Sequence, residues 1–147
     1  MTKDTKSGFS DAERAAMQQP AEELKSMKGV KGVAKRQREF QACLDAIAEL
    51  AGSDRQVAER FHVIVSEEAP DLEPKTWYGF PSYASDGEVV LFVQPAAKFG
   101  TRYATVNFSE KANVDDGEWW PISYAVLEVT DAVEQQLRAL VRKAVAS

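Results

Sequence analysis

The chain has 147 residues, 44% hydrophobic and 28% charged, with a formal net charge of −5 at pH 7; this is one domain's worth, enough to bury a core without metal or disulfide staples. No apolar run approaches the roughly 20 residues of a membrane helix, the first ten residues lack the apolar region of a secretory signal, and the single cysteine, Cys43, excludes an intrachain disulfide, so the expected compartment is a reducing cytoplasm. The charge is uneven: residues 1–38 carry nine Lys and Arg against five Asp and Glu, whereas residues 39–147 carry nine against eighteen. Such an acidic body repels nucleic acid and suits cations.

Residues 1–38 read as a charged, partly helical N-terminal arm. Ser10 with Glu13 forms a capping-box pattern for a short helix over 11–19, Pro20 can open a second over 21–27, and Gly29 and Gly32 are expected to break it. The α+β domain is expected over 39–147. Phe40, Leu44, Ile47 and Ala51 form one apolar helix stripe, which Gly52 ends. Ser53 with Gln56 is expected to cap a second helix, with Val57, Phe61, Ile64 and Val65 on its apolar face. At Lys75 the period changes. Residues 75–83 alternate aromatics with small or polar residues, Asp86-Gly87 signals a hairpin turn, and 88–94 is an apolar run suited to a central strand. Further strands are expected over 102–108 and 121–129, separated by an acidic loop. Thr130 caps a last helix with Val133, Leu137, Leu140, Val141 and Ala144 on one face. The expected order is α-α-β-β-β-β-α, a mainly antiparallel sheet of four or more strands covered by helices.

Phosphate-loop, nucleophile-elbow and dinucleotide motifs are absent, and one histidine and one cysteine leave little for nucleophilic catalysis. Cys43 lies on the apolar stripe and reads as a small buried hydrophobe. Glu59-x-x-His62 has a spacing that puts both side chains on one helix face, but it occurs once, so His62 reads as a surface or boundary residue. Two acidic clusters, Glu67, Glu68, Asp71 and Glu73, and Asp115, Asp116 and Glu118, offer oxygen ligands to a hard cation without the spacing of a calcium loop. Either a weakly held metal or a plain solvated surface accounts for them. Trp77, Tyr78, Phe92, Tyr103 and Trp120, with Phe99 and Trp119, can line a pocket rimmed by Lys98 and Arg102, suited to a small anionic or aromatic ligand; the same aromatics also serve as plain core. The two cations either clamp Asp115 and Asp116 or face an open cavity, and the excess of carboxylates favours the clamp.

The blocks Pro74-Lys-Thr-Trp77-Tyr78-Gly79-Phe80-Pro81, Phe92-Val-Gln94-Pro95-Ala-Ala-Lys98-Phe99, Thr101-Arg102-Tyr103-Ala104-Thr105, and Asp115-Asp116-Gly117 with Trp120-Pro121 resemble the YdhG-like family, a bacterial group of largely unassigned function. The resemblance covers Glu39 to the C-terminus. It implies a compact, frataxin-like α+β fold and, from a member described as an iron chaperone, a role in handling iron through an acidic surface. The expectation is a non-catalytic binding protein: a metal handler using the acidic clusters, a small-molecule binder using the aromatic segment, or an adaptor working through the basic arm.

Overall fold

The computed structural model describes residues 28–146. The short helices expected over 11–19 and 21–27 lie outside them. Helices α1 (Lys28–Ala48) and α2 (Gly52–Glu68) form a hairpin. A five-stranded meander follows: β1 (Glu73–Trp77), β2 (Phe80–Ser85), β3 (Glu88–Gln94), β4 (Ala104–Phe108) and β5 (Ser123–Val126), with one turn of helix, α3 (Ala96–Phe99), between β3 and β4. Helix α4 (Asp131–Val145) closes the chain. Neighbouring strands pair antiparallel in the order β1-β2-β3-β4-β5. The protein is therefore α+β, and no helix among the described residues is long and apolar enough to cross a membrane.

Directly opposed residues of antiparallel strands share a sheet face. The register Tyr83↔Leu91↔Phe108 and Val93↔Val106 therefore defines one face, and all five side chains are buried. Helices α1, α2 and α4 pack on it, through Cys43 and Ile47, through Val57, Phe61, Ile64 and Val65, and through Leu137, Val141 and Ala144. The stripes expected on α2 and α4 thus form the core. Thr130 caps α4 as expected, its hydroxyl accepting from the Val133 N–H. A lattice of arginines and carboxylates ties α2 to α4: Arg138 reaches Glu67, Glu68 and Glu134, Arg60 reaches Glu134, and Arg142 reaches Glu68.

Several expectations are corrected. Gly29 and Gly32 lie inside α1, which runs through the arm boundary placed at Arg38. A helical glycine costs about 1 kcal/mol but removes no hydrogen bond, so two of them do not end a helix of this length. Ser53 forms no cap; α2 starts after Ala51 without a side-chain cap. Gln56, its expected capping partner, instead bridges to the far end of the sheet, donating to the Val129 carbonyl and accepting from the Val129 N–H. The single strand expected over 75–83 is two strands, reversing at Tyr78-Gly79, so the sheet has five strands rather than four. The last strand is confined to Ser123–Val126 within the expected 121–129.

Candidate aromatic binding site

The first hairpin builds the site. Trp77 pairs with Phe80 across a two-residue turn, and Tyr78 and Gly79 both have positive φ, 53° and 80°. This is the geometry of a type I′ turn, whose twist matches that of the strands it joins. The second hairpin repeats it at Asp86 and Gly87, with φ 51° and 81°. Asp suits the first position of such a turn. Tyr does not, because a bulky side chain strains this backbone region. Tyr78 is nevertheless 76% exposed, so core packing does not account for its presence.

The face turned away from the helices carries Trp77 and Phe80 as one opposed pair and Ser82, Phe92, Asn107 and Ser123 as another row. Its aromatics form a second cluster, separate from the helical core. Trp77 meets Phe92 edge-on at 5.0 Å between ring centroids and Tyr78 at 4.9 Å, while Phe80 stacks on Phe92 at 6.2 Å and touches Phe99 at 5.4 Å. Phe80 is buried, yet Trp77 and Phe99 remain 40% and 48% exposed. The cluster is thus half floor and half open platform.

Helix α3 supplies the charge. Its start is fixed from a distance: the buried Asp54 carboxylate accepts from the Ala96 N–H at 2.8 Å and the Ala97 N–H at 3.0 Å. Gly100, at φ 66°, ends it. Lys98 then projects over the Phe80 ring, its Nζ 5.3 Å from the centroid, and donates to the Tyr78 carbonyl at 3.3 Å. A Cβ on Gly79 would displace the Lys98 Nζ from its seat, so the turn glycine supplies the φ and leaves open the space that the ammonium fills. Among the described residues Lys98 has no carboxylate partner, nor does Arg102; the expected clamp on Asp115 and Asp116 is not formed.

The structure thus assembles Trp77, Tyr78, Phe92 and Lys98 from the expected set. Arg102 lies over the Tyr103 ring at 5.4 Å, but no ring contact or hydrogen bond joins this pair to the cluster. Trp120 is exposed in the loop before β5 and likewise makes no ring contact with it. Phe80, Gly79 and Asp54 were not legible as site residues. The alternation that marked the strand hid the turn, and the capping contact of Asp54 spans 42 positions of sequence.

The acidic clusters have a different fate. Glu67 and Glu68 are taken up by Arg138 and Arg142, whose hydrogen bonds hold the Glu68 carboxyl below its ordinary value. Glu73 stands 4.0 Å from Arg36. Asp71 lines a cavity of about 390 Å³ with Glu68, Leu72, Val90, Lys111 and Asn113. Asp115, Asp116 and Glu118 are exposed. Among the described residues no three His, Cys, Asp or Glu side chains converge as a metal site would require.

Cys43, Tyr83 and His62 form a chain behind the sheet. Burial pushes the Cys43 thiol up to about 11 and raises the Tyr83 phenol well above its ordinary value, so both keep their protons. The thiol donates to the Tyr83 oxygen at 4.0 Å, and the same oxygen shares a hydrogen bond with His62 Nδ1 at 2.9 Å. Burial lowers the His62 pKa, which favours the neutral ring. Cys43 is the small buried group expected, and His62 the boundary residue. Glu59 pairs with Arg55 rather than with His62.

Set beside models of known protein families, curated proteins and solved structures, the chain matches none.

Proposed function

We propose that this chain is a non-catalytic binding protein whose aromatic face takes a small planar anion, such as an aromatic carboxylate. The observation that carries the reading is Lys98: an ammonium without a carboxylate partner among the described residues, in an acidic body, held by the Tyr78 carbonyl and the Phe80 ring beside exposed Trp77, Tyr78 and Phe99. The rings supply stacking surface, and the ammonium supplies one charge-assisted hydrogen bond. Tyr78 supports the same reading, since strain kept at an exposed turn is a mark of functional positions. The resemblance to the YdhG-like family, with its iron-handling member, supports the alternative of weak iron binding through Asp115, Asp116 and Glu118. The geometry favours it less, because Glu67 and Glu68 are engaged by arginines.

Titration with 2-naphthoate, followed by tryptophan fluorescence, tests the reading. At about 0.4 kcal/mol per non-hydrogen atom, a ligand of this size binds with Kd of about 0.1–1 mM. Lys98→Met should raise Kd about fivefold or more while leaving the fold intact, since the exposed ammonium contributes about 1 kcal/mol. Equal affinity of the variant, or equal affinity for the uncharged 2-naphthamide, would remove the basis for an anion site.

A further inference from the structure

The sheet has two edges, and they are finished differently. At β1, helix α1 packs along the strand, Pro74 interrupts its donors, and Lys75 pairs with Glu39 of α1. These are the usual protections of an edge. At β5 they are missing. Ser123-Tyr-Ala-Val126 contains no proline, no charge and no bulge, among the described residues no strand pairs with its outer side, and Ser123, Tyr124 and Ala125 are exposed.

The Phe108 N–H donates to the Ile122 carbonyl, which places Ile122, Tyr124 and Val126 in the set bonded to β4. The alternation of antiparallel ladders then turns the N–H and C=O groups of Ser123 and Ala125 outward. Around this open edge lie Trp119, Ile122, Tyr124 and Leu127, with Trp119 79% and Ile122 68% exposed. Residues 119–127 carry no charge at all, yet carboxylates bracket them: Asp115, Asp116 and Glu118 before, Glu128 and Asp131 after.

We propose that β5 is a docking edge for an extended peptide with apolar residues at its centre and Lys or Arg at both ends. Main-chain pairing to Ser123 and Ala125 would supply the register. The peptide's apolar side chains would cover Ile122 and Tyr124 at the margin of the core face, and its basic ends would meet the two carboxylate groups. Charge also decides against a second copy of this chain. A two-fold pairing of β5 with β5 sets the acidic flank before one strand beside the acidic flank after the other, at both ends of the interface.

The test uses the full chain, ¹⁵N-labelled, and the peptide Lys-Arg-Thr-Val-Thr-Val-Thr-Arg-Lys. The expected result is slowed amide exchange and shifted resonances at Ser123 and Ala125, with binding weakened about tenfold between about 0.05 and 0.5 M salt. Ala125→Pro removes one outward N–H at an edge position that tolerates proline and should abolish the shifts. Ile122→Lys, at an exposed site, should weaken binding of the basic peptide without touching the ladder. Equal binding of a peptide with Glu in place of every Lys and Arg, or unchanged binding by both folded variants, would overturn the proposal. So would a concentration-dependent dimer, seen by sedimentation, that protects Ser123 and Ala125 without peptide.

Discussion

The two hairpin turns make a matched pair that isolates the seat of Lys98. Gly79 and Gly87 occupy the same turn position with φ of 80° and 81°. An alanine at either site therefore incurs the same backbone strain, about 1–2 kcal/mol. The surroundings differ. Nothing lies within 4 Å of a Cβ on Gly87, whereas a Cβ on Gly79 displaces the Lys98 ammonium. Displacement forfeits the exposed cation–π contact, about 0.5–1 kcal/mol, and the hydrogen bond to the Tyr78 carbonyl, about 0.5 kcal/mol at an exposed position. Gly79→Ala should thus cost about 1 kcal/mol more than Gly87→Ala, a further fall in Tm of about 3–5 °C. Urea and thermal unfolding of both variants measure this. The same pair in a Lys98→Ala background should show the excess vanish, since the coupled partner is gone. If the two glycines cost the same within about 0.3 kcal/mol, Lys98 is not held where the structure places it.

Three further outcomes follow from the same contacts. Asp54→Ala strands the Ala96 and Ala97 N–H groups and should cost about 2–3 kcal/mol by chemical denaturation, with 2-naphthoate binding weakened as α3 loses its anchor; unchanged stability would show that the cap is dispensable. Tyr78→Asn places a residue suited to the turn at φ 53° and should hold or raise stability by about 0.5 kcal/mol while weakening 2-naphthoate; a marked loss of stability would make Tyr78 a structural residue instead. Arg138 and Arg142 hold the Glu68 carboxyl, and Arg138 and Arg60 the Glu134 carboxyl, below the ordinary 4.5. That stabilisation is complete above the ordinary value and is lost as pH falls through the lowered folded values. Tm should therefore drop below about pH 4.5, less steeply in Arg138→Met; parallel curves would remove the lattice from the account.

Elements set by side-chain period were legible in the sequence. The stripes of α2 and α4, the Thr130 cap, the apolar run of β3 and the Asp86-Gly87 turn all stand where their patterns put them. The exceptions have local causes. Tyr78-Gly79 carries only half of a turn signature, and flanking aromatics made it read as strand. Gly29 and Gly32 are weak breakers in an otherwise helical stretch. Of the site, the aromatic segment was visible as composition, but which rings gather on the outer face depends on the register that the hidden turn sets. The fates of Lys98 and of the acidic clusters rest on contacts between distant parts of the chain. Asp54 reaches Ala96, and Arg138 reaches Glu67 and Glu68, neither of which periodicity encodes.

Trp77, Tyr78, Phe99 and Lys98 are proposed here as a seat for a planar anion. Intermolecular nuclear Overhauser contacts between 2-naphthoate and the isotope-labelled full chain measure this directly. Contacts are expected from the naphthalene protons to the Trp77 and Phe99 rings and to the Lys98 Hε protons, with the ring contacts weakened at subsaturating probe in Lys98→Met. Contacts confined to the cavity beside Asp71 and Lys111, or none at saturating probe, would contradict it.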